Sequence, residues 1–90
     1  MKFECDEEKV AGNLHKHGVS FAEASTTFAD DLSLTGNDPD HSRGEHQFVT
    51  FGISSTGRLL AISHVERDGH IRIISARPAT RTERKFYEET

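Results

Sequence analysis

The chain has 90 residues and a mass of 10.1 kDa, enough for one small domain over residues 1–90 that buries about 60% of its unfolded surface. It is 33% hydrophobic and 29% charged, with a mean hydropathy of −0.63, and no apolar run approaches the ~20 residues of a transmembrane helix. The start, MKFECDEEK, lacks the apolar stretch of a secretory signal, and the single cysteine, Cys5, forms no internal disulfide; together they predict a cytoplasmic protein. The net charge of −4 is uneven. Residues 1–45 carry four basic and ten acidic side chains (net −6), and residues 46–90 carry seven and five (net +2). From Arg58 to Lys85 seven basic residues meet only Glu66, Asp68 and Glu83, a net of +4. The composition excludes a generally basic nucleic-acid binder but allows a basic patch in the C-terminal third.

The first predicted element is a short strand at residues 2–4. Asp6 is an N-cap, and Glu7 and Glu8 suit the positive end of the helix that follows. Lys16 and His17 suit its negative end and Gly18 its left-handed C-terminal stop, giving a helix over 7–17. Ser20 and Glu23 have capping-box spacing, Val19 is the staple, and Phe21, Ala24, Ser25 and Phe28 share a face, so a second helix spans 21–29. The period then changes to two: Leu32 and Leu34 alternate with Ser33 and Thr35 in a short strand. The stretch GNDPDHSRG is a polar loop. Residues 48–54, 59–65 and 71–76 read as strands of an antiparallel meander, joined by Ser55-Thr56-Gly57 and a tight turn at Arg67-Asp68-Gly69. Pro78 stops the last strand, and Thr80 with Glu83 caps a final helix reaching about Glu89. The fold class is a small α+β domain with its helices on one sheet face.

Two registers of the last hairpin are open. A two-residue turn sets Val65 opposite Arg72 and gathers Leu60, Ile62, Ile71 and Ile73 on one face. A three-residue turn sets His64 opposite Arg72 and buries Leu59, Ala61 and Val65 with Ile71 and Ile73. The first gives the more apolar face. Either leaves Arg72 pointing away from Ile71 and Ile73, partly open and near Arg77.

The chemistry-bearing side chains narrow the function by elimination. His15 and His17 point about 200° apart on a helix and cannot share an ion. Asp38, Asp40 and His41 lie in the polar loop, and no zinc-type spacing occurs. No metal or cofactor is therefore expected. No nucleophile elbow or phosphate loop is present, and Cys5 stands among carboxylates that disfavour a thiolate. What remains is a guanidinium cluster: Arg72, Arg77, Arg81 and Arg84, with Lys85. Arginine forks match phosphate oxygens two at a time. They can hold an RNA phosphodiester and stabilise its transition-state charge. The candidate proton handlers are Glu45, His46, His64, His17 and Tyr87. The competing reading pairs these arginines with Glu66, Glu83 and Glu88 for structure alone.

The segments F-E-x-D (Phe3–Asp6), N-L-x-K-H-G-V-S-F-x-E-A (Asn13–Ala24) and R-I-I-S-A-R-x-A-T-R-x-E-R (Arg72–Arg84), followed by Tyr87, resemble the BrnT toxins of the wider RelE/ParE-like group, over nearly the whole chain. The resemblance implies a small RelE-like domain acting as a metal-independent endoribonuclease that halts translation. The implied partner is a BrnA-type antitoxin with a ribbon-helix-helix domain, the pair reaching operator DNA only through the antitoxin. The family's motif falls on Lys16, His17, Glu45, Arg72, Arg77, Glu83, Arg84 and Tyr87. We assign catalysis to Glu45, His46, Arg72 and Arg77, and RNA binding to Lys16, His17, Arg81, Arg84 and Tyr87. Cys5 replaces the family's usual Trp, and Gln47 replaces an Arg. The alternative function is a non-catalytic module that binds the antitoxin and co-represses its operon.

Overall fold

The computed structural model describes residues 2–4, 6–37 and 47–89. Strand β1 (Lys2–Glu4) leads to helix α1 (Glu7–His17), which has the predicted bounds. The Asp6 carboxylate accepts the Glu8 N–H at 2.9 Å. Gly18, at φ 69°, ends the helix by donating its N–H to the Leu14 carbonyl.

Helix α2 (Phe21–Thr26) is shorter than predicted and tightens into a 3₁₀ turn at Thr27–Ala29. The cause lies in three consecutive hydroxyls. Ser25, Thr26 and Thr27 each donate to the carbonyl three residues back, at 2.6–2.7 Å, and compete with the helical ladder. The capping box is half formed: Ser20 Oγ accepts the Glu23 N–H at 3.0 Å, but the Glu23 carboxylate turns to Arg58. Leu32 is not in a strand. The Asp30 carboxylate accepts the Leu32 N–H and holds a turn, so β2 begins at Leu34 and runs Leu34–Asn37.

The meander continues through β3 (Gln47–Ile53), β4 (Leu59–Arg67) and β5 (His70–Pro78), and α3 (Arg81–Glu88) closes the chain. The sheet order is β1-β5-β4-β3-β2, with β1 parallel to β5 and every other pair antiparallel. Asp68 and Gly69 both take positive φ (51° and 79°) in a two-residue turn, and Val65 lies opposite Arg72. The more apolar register is therefore the one formed. A β-bulge follows: His64 faces Ile73 while Ser63 faces Ser75, leaving Ile74 as the extra residue.

One sheet face carries the main core cluster, while Leu59, Ala61 and Val65 are buried on the other face of β4. Leu60, Ile62, Ile71, Ile73 and Ala76 pack under Val19, Phe21 and Ala24, with Val10 and Phe28 at the margin. α2 and its 3₁₀ turn press so closely on β3 that a Cβ at Gly52 would stand 2.9 Å from the Thr27 carbonyl oxygen. The expectation of one helical face holds for α1 and α2 but not for α3. Phe86 of α3 shares a shallow groove with Leu34, Val49 and Phe51, which the register turns to the opposite face. No α3 side chain is fully buried.

Candidate nucleic-acid interface

Strand β5 carries the centre of the basic region. Arg72 is exposed and points away from Ile71 and Ile73, as the alternation requires. Arg77 lies five residues further along β5, and because the bulge adds one residue between them, Arg72 opposite Val65 and Arg77 opposite Ala61 share one sheet face. Arg77 is engaged: its two terminal nitrogens donate to the two oxygens of Glu83 at 2.6 and 2.8 Å. The same carboxylate accepts the Thr80 N–H at 2.9 Å, and Thr80 Oγ1 accepts the Glu83 N–H, completing the capping box predicted for α3. The Arg77 fork holds the Glu83 carboxyl down to about 2. Arg81 and Arg84 are exposed on α3, and Arg84 approaches Glu88 at 3.8 Å. Among the described residues, carboxylate partners of this kind are found for Arg77 and Arg84.

Tyr87 is half-buried and donates its hydroxyl to Asp30 at 2.7 Å. This bond raises the phenol pKa, because the carboxylate favours the protonated ring. Asp30 is itself held low, first by the Ile53 N–H, then by Tyr87 and Leu32. It ties α3 to the sheet where β2 and β3 meet, a role invisible in its position between two helix-end residues.

His64 is removed from the candidate site. It lies on the core face, fully buried, with Phe28 at 5.0 Å edge-on and Phe48 stacked at 5.9 Å. Nε2 meets Thr50 Oγ1 at 2.8 Å, Thr50 meets Thr35 at 2.7 Å, and Nδ1 has no partner among the described residues. Burial pushes its pKa down to about 4, so the imidazole is neutral and structural.

Lys16 and His17, in the last turn of α1, border a groove against β5 together with Lys9, Ile74 and Ser75. Glu45 and His46 lie outside the described residues, as do Asp38, Asp40 and His41. Among the described residues no group of three His, Cys, Asp or Glu side chains is arranged to hold a metal ion. No described helix is long and apolar enough to cross a membrane.

Two contributors escape a reading of the sequence. Asn13, 7% exposed, is the buried polar residue of α1. Glu23 accepts from Ser54, Thr56 and the Nε and Nη2 of the Arg58 guanidinium, which holds its carboxyl down to about 2. A Glu on the amphipathic α2 opposite a lone Arg at a strand start was the available signal, and its capping-box spacing concealed it.

The model for the ribonuclease toxin BrnT of type II toxin–antitoxin systems matches residues 5–83. The chain belongs to the BrnT family. It is a ribonuclease toxin of the type II class and so has an antitoxin as its partner. The match takes in Arg72, Arg77 and Glu83 and ends before Arg84 and Tyr87. The BrnT fold is also seen in the crystal structure of the Brucella abortus ribonuclease toxin BrnT, at 1.1 Å resolution. That protein is 21% identical, with 90% of this chain and 99% of the other covered and a TM-score of 0.66. No curated protein matches the chain.

Proposed function

We propose that this BrnT-family toxin cleaves RNA without a metal ion, using the substrate's own 2′-OH as nucleophile, and so inhibits translation in the cytoplasm. The 2′-oxygen attacks phosphorus, the bond to the 5′-oxygen breaks, and a 2′,3′-cyclic phosphate forms. A base takes the 2′-OH proton, and an acid returns a proton to the departing 5′-oxygen. Arg72 stabilises the charge gathering on the phosphoryl oxygens.

The observation that carries this reading is a register. Gln47, which follows Glu45 and His46 in sequence, lies opposite Val65, and Val65 lies opposite Arg72. An exposed arginine near the start of β5 is thus two strands from the residue that directly succeeds the two proton handlers. Arg77 enters as the second cation, with phosphate competing against Glu83 for its fork. Lys16, His17, Arg81, Arg84 and Tyr87 bind the flanking RNA. Tyr87 does so as a neutral phenol, since its proton is held by Asp30.

The antitoxin of this reading is a BrnA-type ribbon-helix-helix protein that covers the same basic surface with acidic and apolar side chains. The pair reaches operator DNA only through the antitoxin. Cleavage of RNA in excess chelator, with analysis of the 3′ ends, tests the chemistry. Cyclic phosphate ends that persist in chelator are expected; activity lost in chelator and restored by a divalent ion would end the metal-free reading. The filled Arg77 fork favours a second reading, a non-catalytic antitoxin-binding co-repressor. Growth arrest on expressing the chain alone excludes that second reading.

A further inference from the structure

Gly12 stands in the middle of α1, where a Cβ would meet nothing within 4 Å. No close packing requires a glycine there, and only proline is a poorer residue for a helix interior. The glycine leaves an open notch on the stripe that also carries Lys9 and Lys16, one helical face by their spacing. Asn13, bonded to Ala76, draws that stripe against β5. The result is a shallow, wide-open groove of about 250 Å³ bordered by Lys9, Lys16 and His17 on one side and Ile74 and Ser75 on the other. No carboxylate lines it. Ile74 is the bulged residue, two positions along β5 from Arg72.

We propose that this groove binds the backbone of single-stranded RNA beside the cleaved phosphate, an inference that rests on the ribonuclease reading above. Lys9 and Lys16 are two turns apart, about 10 Å along the helix, and hold successive stretches of the phosphate backbone. The Gly12 notch lets the strand lie against the helix. The Ser75 hydroxyl donates to a phosphate oxygen, and Ile74 gives the apolar contact that a sugar or base edge uses in sequence-tolerant grooves. An acidic protein segment would satisfy the lysines, but it has less use for an open notch over an apolar floor.

The test is equilibrium binding of a 2′-O-methyl RNA oligonucleotide, which has no free 2′-OH to attack, over a salt series. The proteins are the wild-type chain, Gly12→Leu, and the double variant Lys9→Ala with Lys16→Ala. Gly12→Leu is expected to melt no lower than wild type and to bind at least tenfold more weakly. The double variant is expected to lower the salt slope by about 1.4, roughly 0.7 for each phosphate that a lysine no longer neutralises. Wild-type affinity and slope in both variants overturns the proposal. Unchanged RNA binding with lost antitoxin binding also overturns it and gives the groove to an acidic protein segment. A wild-type chain that binds through this groove yet cuts no RNA upholds the groove and removes the ribonuclease reading, so the two fail separately.

Discussion

Asn13 and Ala76, 63 residues apart, exchange two hydrogen bonds: Asn13 Nδ2 donates to the Ala76 carbonyl at 2.7 Å, and the Ala76 N–H donates to Asn13 Oδ1 at 3.0 Å. The side-chain amide does at this point what a neighbouring strand would do. β1 pairs with β5 only as far as Arg72, and Asn13 takes up the edge again four residues later. Its second Nδ2 proton goes to the Val19 carbonyl at 2.9 Å, so one buried residue joins α1, the entry to α2 and the sheet.

Replacing Asn13 with Ala leaves the Ala76 N–H and two carbonyls without these partners in a buried place. Each such group costs about 1–3 kcal/mol, so the expected loss is at least about 3 kcal/mol. In a domain this small that lowers the Tm by more than about 12 °C. Asn13→Asp fares no better, since it keeps one acceptor, loses both donors and buries a charge. Thermal melts by circular dichroism decide the matter; a shift of only a degree or two would show the amide pair to be incidental.

His64 sets the response to mild acid. Its pKa is about 4 in the folded chain against an ordinary 6.5, because Phe28, Phe48, Thr50 and Ile73 surround it and none carries charge. The unfolded chain therefore takes up a proton as pH falls through 6.5, while the folded chain resists until about 4. This contribution is intact above pH 6.5 and is lost progressively between 6.5 and 4, to a total of about 3 kcal/mol. His64→Leu should flatten the fall in urea midpoint between pH 7 and 5. An equal slope in both proteins would place the acid sensitivity elsewhere.

How much of this was legible in the sequence follows from how local each cause is. The bounds of α1 and the capping box of α3 rest on neighbours in sequence, Asp6 with Glu8 and Thr80 with Glu83, and both could be read. The hairpin register followed from turn chemistry and apolar alternation. The bulge at Ile74, the partnership of Glu23 with Arg58 and the Asn13–Ala76 exchange depend on segments distant in sequence, 35 residues apart for the ion pair and 63 for the amide, and nothing near any of these residues announces its partner. At the candidate site, Arg72 was legible because alternation alone turns it outward. The commitment of Arg77 to Glu83 was present only as the competing reading, since spacing cannot say whether a fork faces a phosphate or a carboxylate.

Gly12 inside α1 and Gly52 inside β3 should respond in opposite directions to the same methyl group. Gly12→Ala adds a side chain that meets nothing and improves the helix by up to about 1 kcal/mol. Gly52→Ala drives a Cβ to 2.9 Å from the Thr27 carbonyl oxygen and 3.2 Å from the Ser33 Cβ. That overpacking costs about 1–3 kcal/mol. Chemical denaturation of the two variants should place them on either side of wild type, and a stabilised Gly52→Ala would contradict the close approach of β3 to the 3₁₀ turn.

The arginines separate by what each does in the free protein. Arg72 is exposed on β5, so Arg72→Ala should leave the melting curve within about 0.5 kcal/mol of wild type. If it meets the phosphate in the transition state, cleavage should fall at least about 100-fold. Arg77→Ala removes a half-exposed two-point ion pair and loosens α3, costing about 1 kcal/mol, and on the competition reading it also lowers cleavage. Glu83→Gln decides that reading. It frees the fork from a carboxylate, so RNA affinity should rise while the melting temperature falls. If Glu83→Gln instead loses RNA affinity to the same extent as Arg77→Ala, then Glu83 holds Arg77 in its working position, and phosphate never displaces it.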